Sequence, residues 1–296
     1  MNLNTLTLER RESMEYIKNN LSFLKEKFCY IAGVAFGVLS IVLSFLSWDE
    51  MGVTSKCYRI FLLVAIVLAS FVISVFCLWV KRKNKLWEQG EKRIQAIYGD
   101  LLKISKNKRF EKIVVIPVNT TFDTVVGDGI VSPGSVHGRW IKKFCSEGHT
   151  VDELDKLIQA NFSTRKIAPY SVQDESEKPK GKRAMYPRGT VAVIDDDQTH
   201  YYLLALSHFD ENLNAQCSKE ELLSVITSMI DFYDKNGQGL PIYIPLMGSG
   251  ISRANVTPEE SLQIITDLLK LNRQKIHGEA NIVVYSKLKS QVSIFD

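Results

Sequence analysis

The residues best suited to chemistry stand in "VVGDGIVSPGSVHGRW", Val125–Trp140, with glycines at 127, 129, 134 and 138, a Ser-Pro pair and one histidine. Glycines let a ligand approach the backbone with no Cβ in the way. A helix opening behind them aims unpaired N–H groups at an anion. Ser132 reads as the N-cap and Pro133 as the first helical residue, predicting a helix to about Phe144. The loop fits neither common phosphate fingerprint. A dinucleotide fold would have glycine where Ser132 stands, and a P-loop would follow Gly134 with Lys and a hydroxyl residue, where Ser135 and Val136 follow instead. A second stretch, "IPLMGSGISR" (Ile244–Arg253), has the same logic: a strand-like run ends in Gly248-Ser249-Gly250. Each anion held at a helix terminus is worth about 0.3–2 kcal/mol, so two such turns at neighbouring strand ends would suit a diphosphate.

Other candidates are weaker. Asp195–Asp197 lies between two strand-like runs and reads as a hairpin turn rather than a metal site. His137, one turn into the expected helix, reads as a packed or capping residue or as a ligand contact. The five histidines and five cysteines show no metal or redox spacing, and no nucleophile–base pairing can be read from the sequence.

The elements that must position these loops announce themselves. Thr150/Glu153, Ser218/Glu221 and Thr257/Glu260 are capping boxes, the last with Pro258 at the first helical position. Between them lie apolar runs at 112–118, 190–194, 201–206, 241–246 and 281–285, read as strands covered on both faces. Helices alternating with such strands predict an α/β, three-layer domain with a mixed central sheet over residues 108–296. The polar stretch Thr164–Arg188 reads as an exposed, mobile insertion.

Ahead of this domain stand Cys29–Trp48 and Ile60–Val80, two runs without a charged residue. About 20 apolar residues cross a bilayer, so residues 28–80 are read as a two-span transmembrane helical hairpin. Lys25 and Lys27 before the first span and Lys81–Lys85 after the second put both termini in the cytoplasm. Residues 1–27 are read as an amphipathic cytoplasmic helix, on an apolar seam of Met14, Ile17, Leu21, Leu24 and Phe28. Residues 81–107 are read as a juxtamembrane linker helix, on a seam of Ile94, Ile97, Leu101 and Ile104. Gly33-x3-Gly37, Ala65-x3-Ala69 and Ser70-x3-Ser74 allow close helix packing, within the hairpin or between chains of a homo-oligomer. The net charge of +4, with its basic residues beside the spans, favours a lipid surface over nucleic acid.

"VVIPVNTTFDT", "GDGIVSPGSVHG" and "IPLMGSGISR", in this order over about residues 108–290, resemble the three signature stretches of macro domains, which bind ADP-ribose. The resemblance implies that Asn119 meets the distal ribose. It implies one phosphate loop at Gly127, Asp128, Gly129, Ile130, Val131, Ser132, Gly134, Ser135 and Val136, and a second at Gly248, Ser249, Gly250, Ile251 and Ser252, with Arg253 as a phosphate partner. Two departures stand out: Phe122 occupies the place of a second asparagine, and Asp128 interrupts the glycines. Asp128 is expected to point away from the diphosphate or to face a cationic substituent. No acidic residue is matched to the one that reads adenine.

A macro-like domain behind two spans resembles one group of effectors of bacterial Thoeris anti-phage systems. That resemblance implies a bacterial inner-membrane protein, with no cofactor and no catalysis. Its cytoplasmic domain would sense an ADP-ribose-derived signal made by a TIR-domain partner, and would answer with membrane disruption and abortive infection. The alternative is a membrane-anchored ADP-ribosyl hydrolase or a receptor for ADP-ribosylated proteins.

Overall fold

The computed structural model describes residues 3–210, 214–250 and 255–295, with side chains from residue 11 onward. The chain forms two units, 1–84 with 289–296, and 85–288.

The first unit holds helices α1 (Leu3–Asn19), α2 (Leu21–Phe45) and α3 (Lys56–Val80). Asn20 breaks the first two apart with φ −120° and ψ 27°, while its amide donates to the Tyr16 carbonyl at 2.7 Å. The expected helix over 1–27 therefore ends at this break, and the second helix runs without interruption into the first apolar stretch. The seam read for it holds only in part: Leu24 is buried, but Met14 and Leu21 are exposed and Tyr16 and Phe23 take their places. α2 and α3 pack together, with Ser70 and Ser74 buried. Gly33 and Gly37 lie on the outer side of α2, where an added Cβ would meet nothing within 4 Å. Among the described residues two helices are thus long and apolar enough to cross a membrane, and at most 11% of either apolar window is covered within the chain.

The second unit continues with β1 (Lys83–Gln89), β2 (Lys92–Gly99) and α4 (Leu101–Ser105). The linker helix expected over 81–107 is therefore two strands and one helical turn. The seam misled because β2 is covered on both faces: five consecutive residues, Ile94–Tyr98, are buried, so the alternation that marks a half-buried strand is missing. Then follow β3 (Lys112–Asn119), α5 (Val136–Ser146), α6 (Val151–Thr164), β4 (Ser171–Val172), β5 (Ala184–Met185), β6 (Val191–Asp196), β7 (Thr199–Phe209), β8 (Ala215–Gln216), α7 (Lys219–Asn236), β9 (Ile242–Pro245), α8 (Pro258–Leu271) and β10 (Glu279–Tyr285).

The main sheet has the order β1-β2-β10-β9-β3-β7-β6, with β8 beside β7. β2, β10, β9, β3 and β7 run parallel. β6 and β8 pair antiparallel with β7, which makes the sheet mixed. α7 and α8 cover one face through residues such as Val225, Met229, Ile265 and Leu269. α5 and α6 cover the other through Trp140, Phe144, Leu154 and Ile158. The α/β, three-layer architecture expected from the sequence is present. All three capping boxes form, and the aspartate run ends β6 and enters the β6–β7 turn, with Asp197 at φ 51°.

Candidate functional site

β3 and β9 are neighbours and parallel, with Ile113 opposite Ile242 and Val114 opposite Tyr243. Their carboxyl ends therefore share one sheet edge, and both glycine stretches leave from it. The chain after β3 passes to α5 on one face, and the chain after β9 passes to α8 on the other. In open α/β sheets such a divergence of neighbouring connections makes a crevice at the carboxyl ends, where ligands bind.

The first loop is built around a turn. Ile130 N–H donates to Gly127 O at 2.9 Å, and Gly127 N–H donates to Val131 O at 2.9 Å. Asp128 (φ 51°) and Gly129 (φ 80°) are its central residues, the type I′ geometry for which Asp-Gly is among the favoured pairs. Asp128 is exposed and fills a turn position; no contact to a cationic group is needed to account for it. Ile130 and Val131 are buried and anchor the loop.

The helix behind the loop starts three residues later than the sequence predicts. Ser132 opens a turn that Ser135 N–H closes at 3.1 Å, with Pro133 at its second position, a place proline favours. Ser135, not Ser132, is the N-cap: its Oγ accepts from Gly138 N–H at 2.9 Å and donates to Ser132 O at 2.7 Å. Gly138 allows this, since a Cβ there would lie 2.2 Å from the Ser132 carbonyl oxygen. Gly134 and Val136 complete the rim, Gly134 exposed and Val136 half-buried. His137 is a packed residue whose imidazole burial pushes down to about 3, with Asp123 opposing that shift and Lys182 adding to it.

The second loop is fixed from below. Ser261 on α8 accepts from Met247 N–H at 2.9 Å and donates to Met247 O at 2.6 Å. Gly248 follows, buried with φ 84°, then Ser249 half-buried and Gly250 exposed. Ile251, Ser252 and Arg253 lie outside the described residues.

Asn119 ends β3 and is buried, with both ends of its amide engaged by Asp123. Its Nδ2 donates to Oδ2 at 2.8 Å, and its Oδ1 accepts from Asp123 N–H at 3.0 Å. Asp123 Oδ2 also accepts from Thr121 Oγ1 at 2.7 Å and from Lys178 Nζ at 2.6 Å, while Oδ1 accepts from Lys182 N–H at 2.6 Å. Burial pulls the Lys178 ammonium below its ordinary pKa, and the Asp123 carboxylate opposes this. Lys182 Nζ donates to the Phe122 carbonyl at 2.8 Å and to Asp155. The stretch read as a mobile insertion is therefore a lid moulded around Asp123. Its Gly181 (φ 82°) has no room for a Cβ, which would meet Asp123 Oδ1 at 2.4 Å. Phe122, at φ 51°, turns its ring into the core against Phe162 and Tyr186, with centroids 5.0 and 5.6 Å away.

Asp123, Lys178 and Lys182 were not singled out from the sequence. Asp123 had a local signal, since it follows Asn119 by four residues in a strand-end turn. The lysines had none, because Lys178, Lys180 and Lys182 stand alike in a polar run. Asp100 was missed too. It ends the β2 connection at the same sheet edge, caps Leu102 N–H at 3.1 Å and pairs with Arg139 of α5 at 2.8 Å. Beside this edge a cavity of about 640 Å³ opens between the β4–β5 hairpin and the end of β7, lined by residues including Glu177, Met185, His208 and Phe209.

The chain is similar to known proteins. Residues 94–285 match the family model described as Thoeris protein ThsA, macro domain. Over 251 residues, which are 83% of this chain and 78% of the relative, the sequence is 27% identical to the Thoeris protein ThsA of Bacillus amyloliquefaciens (strain Y2). Among solved structures, the Oceanobacillus iheyensis macrodomain with ADP is 13% identical at a TM-score of 0.42, covering 70% of this chain and 90% of that one. A mutant of that macrodomain with ADPR is 13% identical at a TM-score of 0.43, covering 70% and 92%.

Proposed function

The chain belongs to the family of the Thoeris ThsA macro domain, and from that premise we propose that it is a ligand-gated membrane effector of anti-phage defence. An ADP-ribose-type nucleotide binds in the crevice beyond β3 and β9. The loop Gly127–Val136 and the loop from Gly248 through Arg253 take its diphosphate, and the Asn119 end of the crevice takes the distal ribose. The signal comes from a TIR-domain protein, and the response is membrane disruption followed by abortive infection.

The observation that carries this reading is the placement of two glycine loops on adjacent parallel strand ends whose helices diverge to opposite faces. Each loop presents backbone N–H groups where a diphosphate would concentrate charge. The bilayer part of the reading is supported by α2 and α3, whose apolar side chains, such as Val38, Ile41, Phe61, Leu68 and Phe76, are exposed along their length. An uncovered surface of this kind and extent calls for lipid or a partner. The outward Gly33-x3-Gly37 stripe supports self-association of chains in that setting.

Calorimetric titration of the full chain in lipid nanodiscs with ADP-ribose and NAD tests the reading, with Gly250→Glu as control. Gly250 sits in open space at ordinary φ, so the control changes the loop's chemistry without straining it. Binding that the control abolishes, with no product released over hours, supports a sensor. Turnover of an ADP-ribose ester would make it a hydrolase, and binding to neither nucleotide would remove the reading.

A further inference from the structure

The chain passes between its two units twice, at 84–85 and at 288–289. The first passage lies in β1, so no helical stalk leads from the apolar helices into the nucleotide-binding unit. The second follows β10 and the short turn Ser286–Leu288. From there residues 289–295 lie along the ends of α2 and α3 that face away from their connector.

The contacts of this segment are specific. Lys289 Nζ stands 4.5 Å from the Trp79 ring and 5.4 Å from that of Tyr16. Asn19 Nδ2 donates to Ser290 O at 2.7 Å, and Asn84 Nδ2 donates to Ile294 O at 2.7 Å. Val292 and Ile294 are fully buried. Phe295 stacks on Phe23 at 4.5 Å between centroids, and Lys81 Nζ lies 5.3 Å from the Phe295 ring. One segment thus touches α1, α2 and the residues just past α3. Tyr16 ties into the same cluster by donating to the Leu78 carbonyl at 3.0 Å.

The segment's origin is equally telling. β10 runs parallel to β9, with Val283 opposite Pro245, the last residue of β9. The chain therefore leaves the sheet at the edge that carries the glycine loops. Tyr285, its last strand residue, lies under the Arg139 guanidinium at 5.4 Å, and Arg139 stands one turn into the helix behind the first glycine loop.

We propose that residues 289–295 are a strap through which occupancy of the crevice governs the inner ends of the apolar helices. The proposal rests on the function argued above for what fills the crevice, but the grip itself does not. A shift of either glycine loop moves Arg139 or β9, both of which bear on β10. The strap is the covalent continuation of β10, and its side chains and backbone carbonyls bear on the helix ends. Coupling of this kind needs an element whose state both sites bias, and the strap is the segment that meets both requirements.

The test is hydrogen exchange on the full chain in nanodiscs of phosphatidylethanolamine and phosphatidylglycerol, with and without ADP-ribose. In the intact chain, ADP-ribose is expected to change exchange at residues 16–24 and 76–84 by at least about threefold. A chain ended before Lys289 should exchange there at least about tenfold faster without ligand, bind ADP-ribose within about twofold of the intact chain, and lose the ligand response. Phe295→Ala keeps the segment and should move both readings the same way by less. A ligand response that survives the truncation, or helix ends whose exchange the truncation leaves unchanged, overturns the strap. Failure of the intact chain to bind ADP-ribose strikes the proposed function instead, and the strap is then decided by the ligand-free comparison.

Discussion

Asp123 accepts from Asn119, Thr121, Lys178 and the Lys182 backbone, and it does so at 1% exposure. A buried carboxylate is tolerable only when paired and fully hydrogen-bonded. Removing one partner of such a pair leaves the other charge without compensation, at a cost of about 3 kcal/mol or more. Lys178→Met should therefore lower unfolding stability by about 3 kcal/mol in urea titration. The double variant with Asp123→Asn should lose less than the two single losses added, because the orphaned charge is gone. A fully additive pair would show that the two side chains do not depend on each other. His137 gives a second residue-scale expectation. Its folded pKa is depressed by burial to about 3 from the ordinary 6.5, so between those values the unfolded chain holds a proton that the folded chain refuses. Stability then falls as pH drops below 6.5, by about 1 kcal/mol at pH 5.5 relative to pH 7.5. His137→Gln should flatten that part of the profile; an unchanged slope would assign it to other groups.

At the scale of elements, the glycine loop depends on two different uses of glycine. Gly127 and Gly129 supply positive φ to a turn, whereas Gly138 makes room for the Ser132 carbonyl against α5. Gly138→Ala would push a backbone oxygen from 2.2 Å to van der Waals distance, moving the loop that α5 supports. It should weaken ADP-ribose binding at least about tenfold, a loss of about 1.4 kcal/mol. Gly134→Ala meets open space and should leave affinity within about twofold. Equal effects of the two would mean that loop position does not set affinity. The capping boxes were legible because Ser/Thr-x-x-Glu is a local rule for a helix start, and the loops because glycines follow apolar runs; the Asp-Gly turn inside the first loop was not read. The central strands were legible as unbroken apolar runs. β2 was not, because "RIQAIYG" has no alternation to betray it and two of its buried residues, Ile94 and Ile97, fall by chance at helical spacing. The lid failed for the opposite reason: its composition is that of a solvated loop, and only the fold shows that one lysine among three meets a buried acid. The shift of the α5 N-cap from Ser132 to Ser135 turned on a carbonyl–glycine contact that no local pattern reports.

At the scale of the whole molecule, the question is on which side of a bilayer the nucleotide-binding unit stands. The proposed function needs it in the cytoplasm, as the lysines flanking the apolar runs predict, with the α2–α3 connector opposite. Cysteine chemistry can read this directly. Cys57, at the connector end of α3, is exposed. Cys145 is half-buried in the nucleotide-binding unit, and Cys217 is buried there, its thiol pushed up to about 11 by burial, with Glu221 adding to the shift. Reaction with a maleimide needs the thiolate, so Cys217 should react slowly wherever it is, and Cys57 and Cys145 report the two sides. With each retained as the single cysteine, a membrane-impermeant maleimide should label Cys57 on intact spheroplasts and Cys145 only after permeabilisation. The reverse pattern would put the glycine loops outside the cell, away from any signal made by a cytoplasmic TIR-domain enzyme. Labelling of both without permeabilisation would mean that the apolar helices do not form a sealed span. Only the expected pattern lets a nucleotide made in the cytoplasm reach the crevice at the carboxyl ends of β3 and β9.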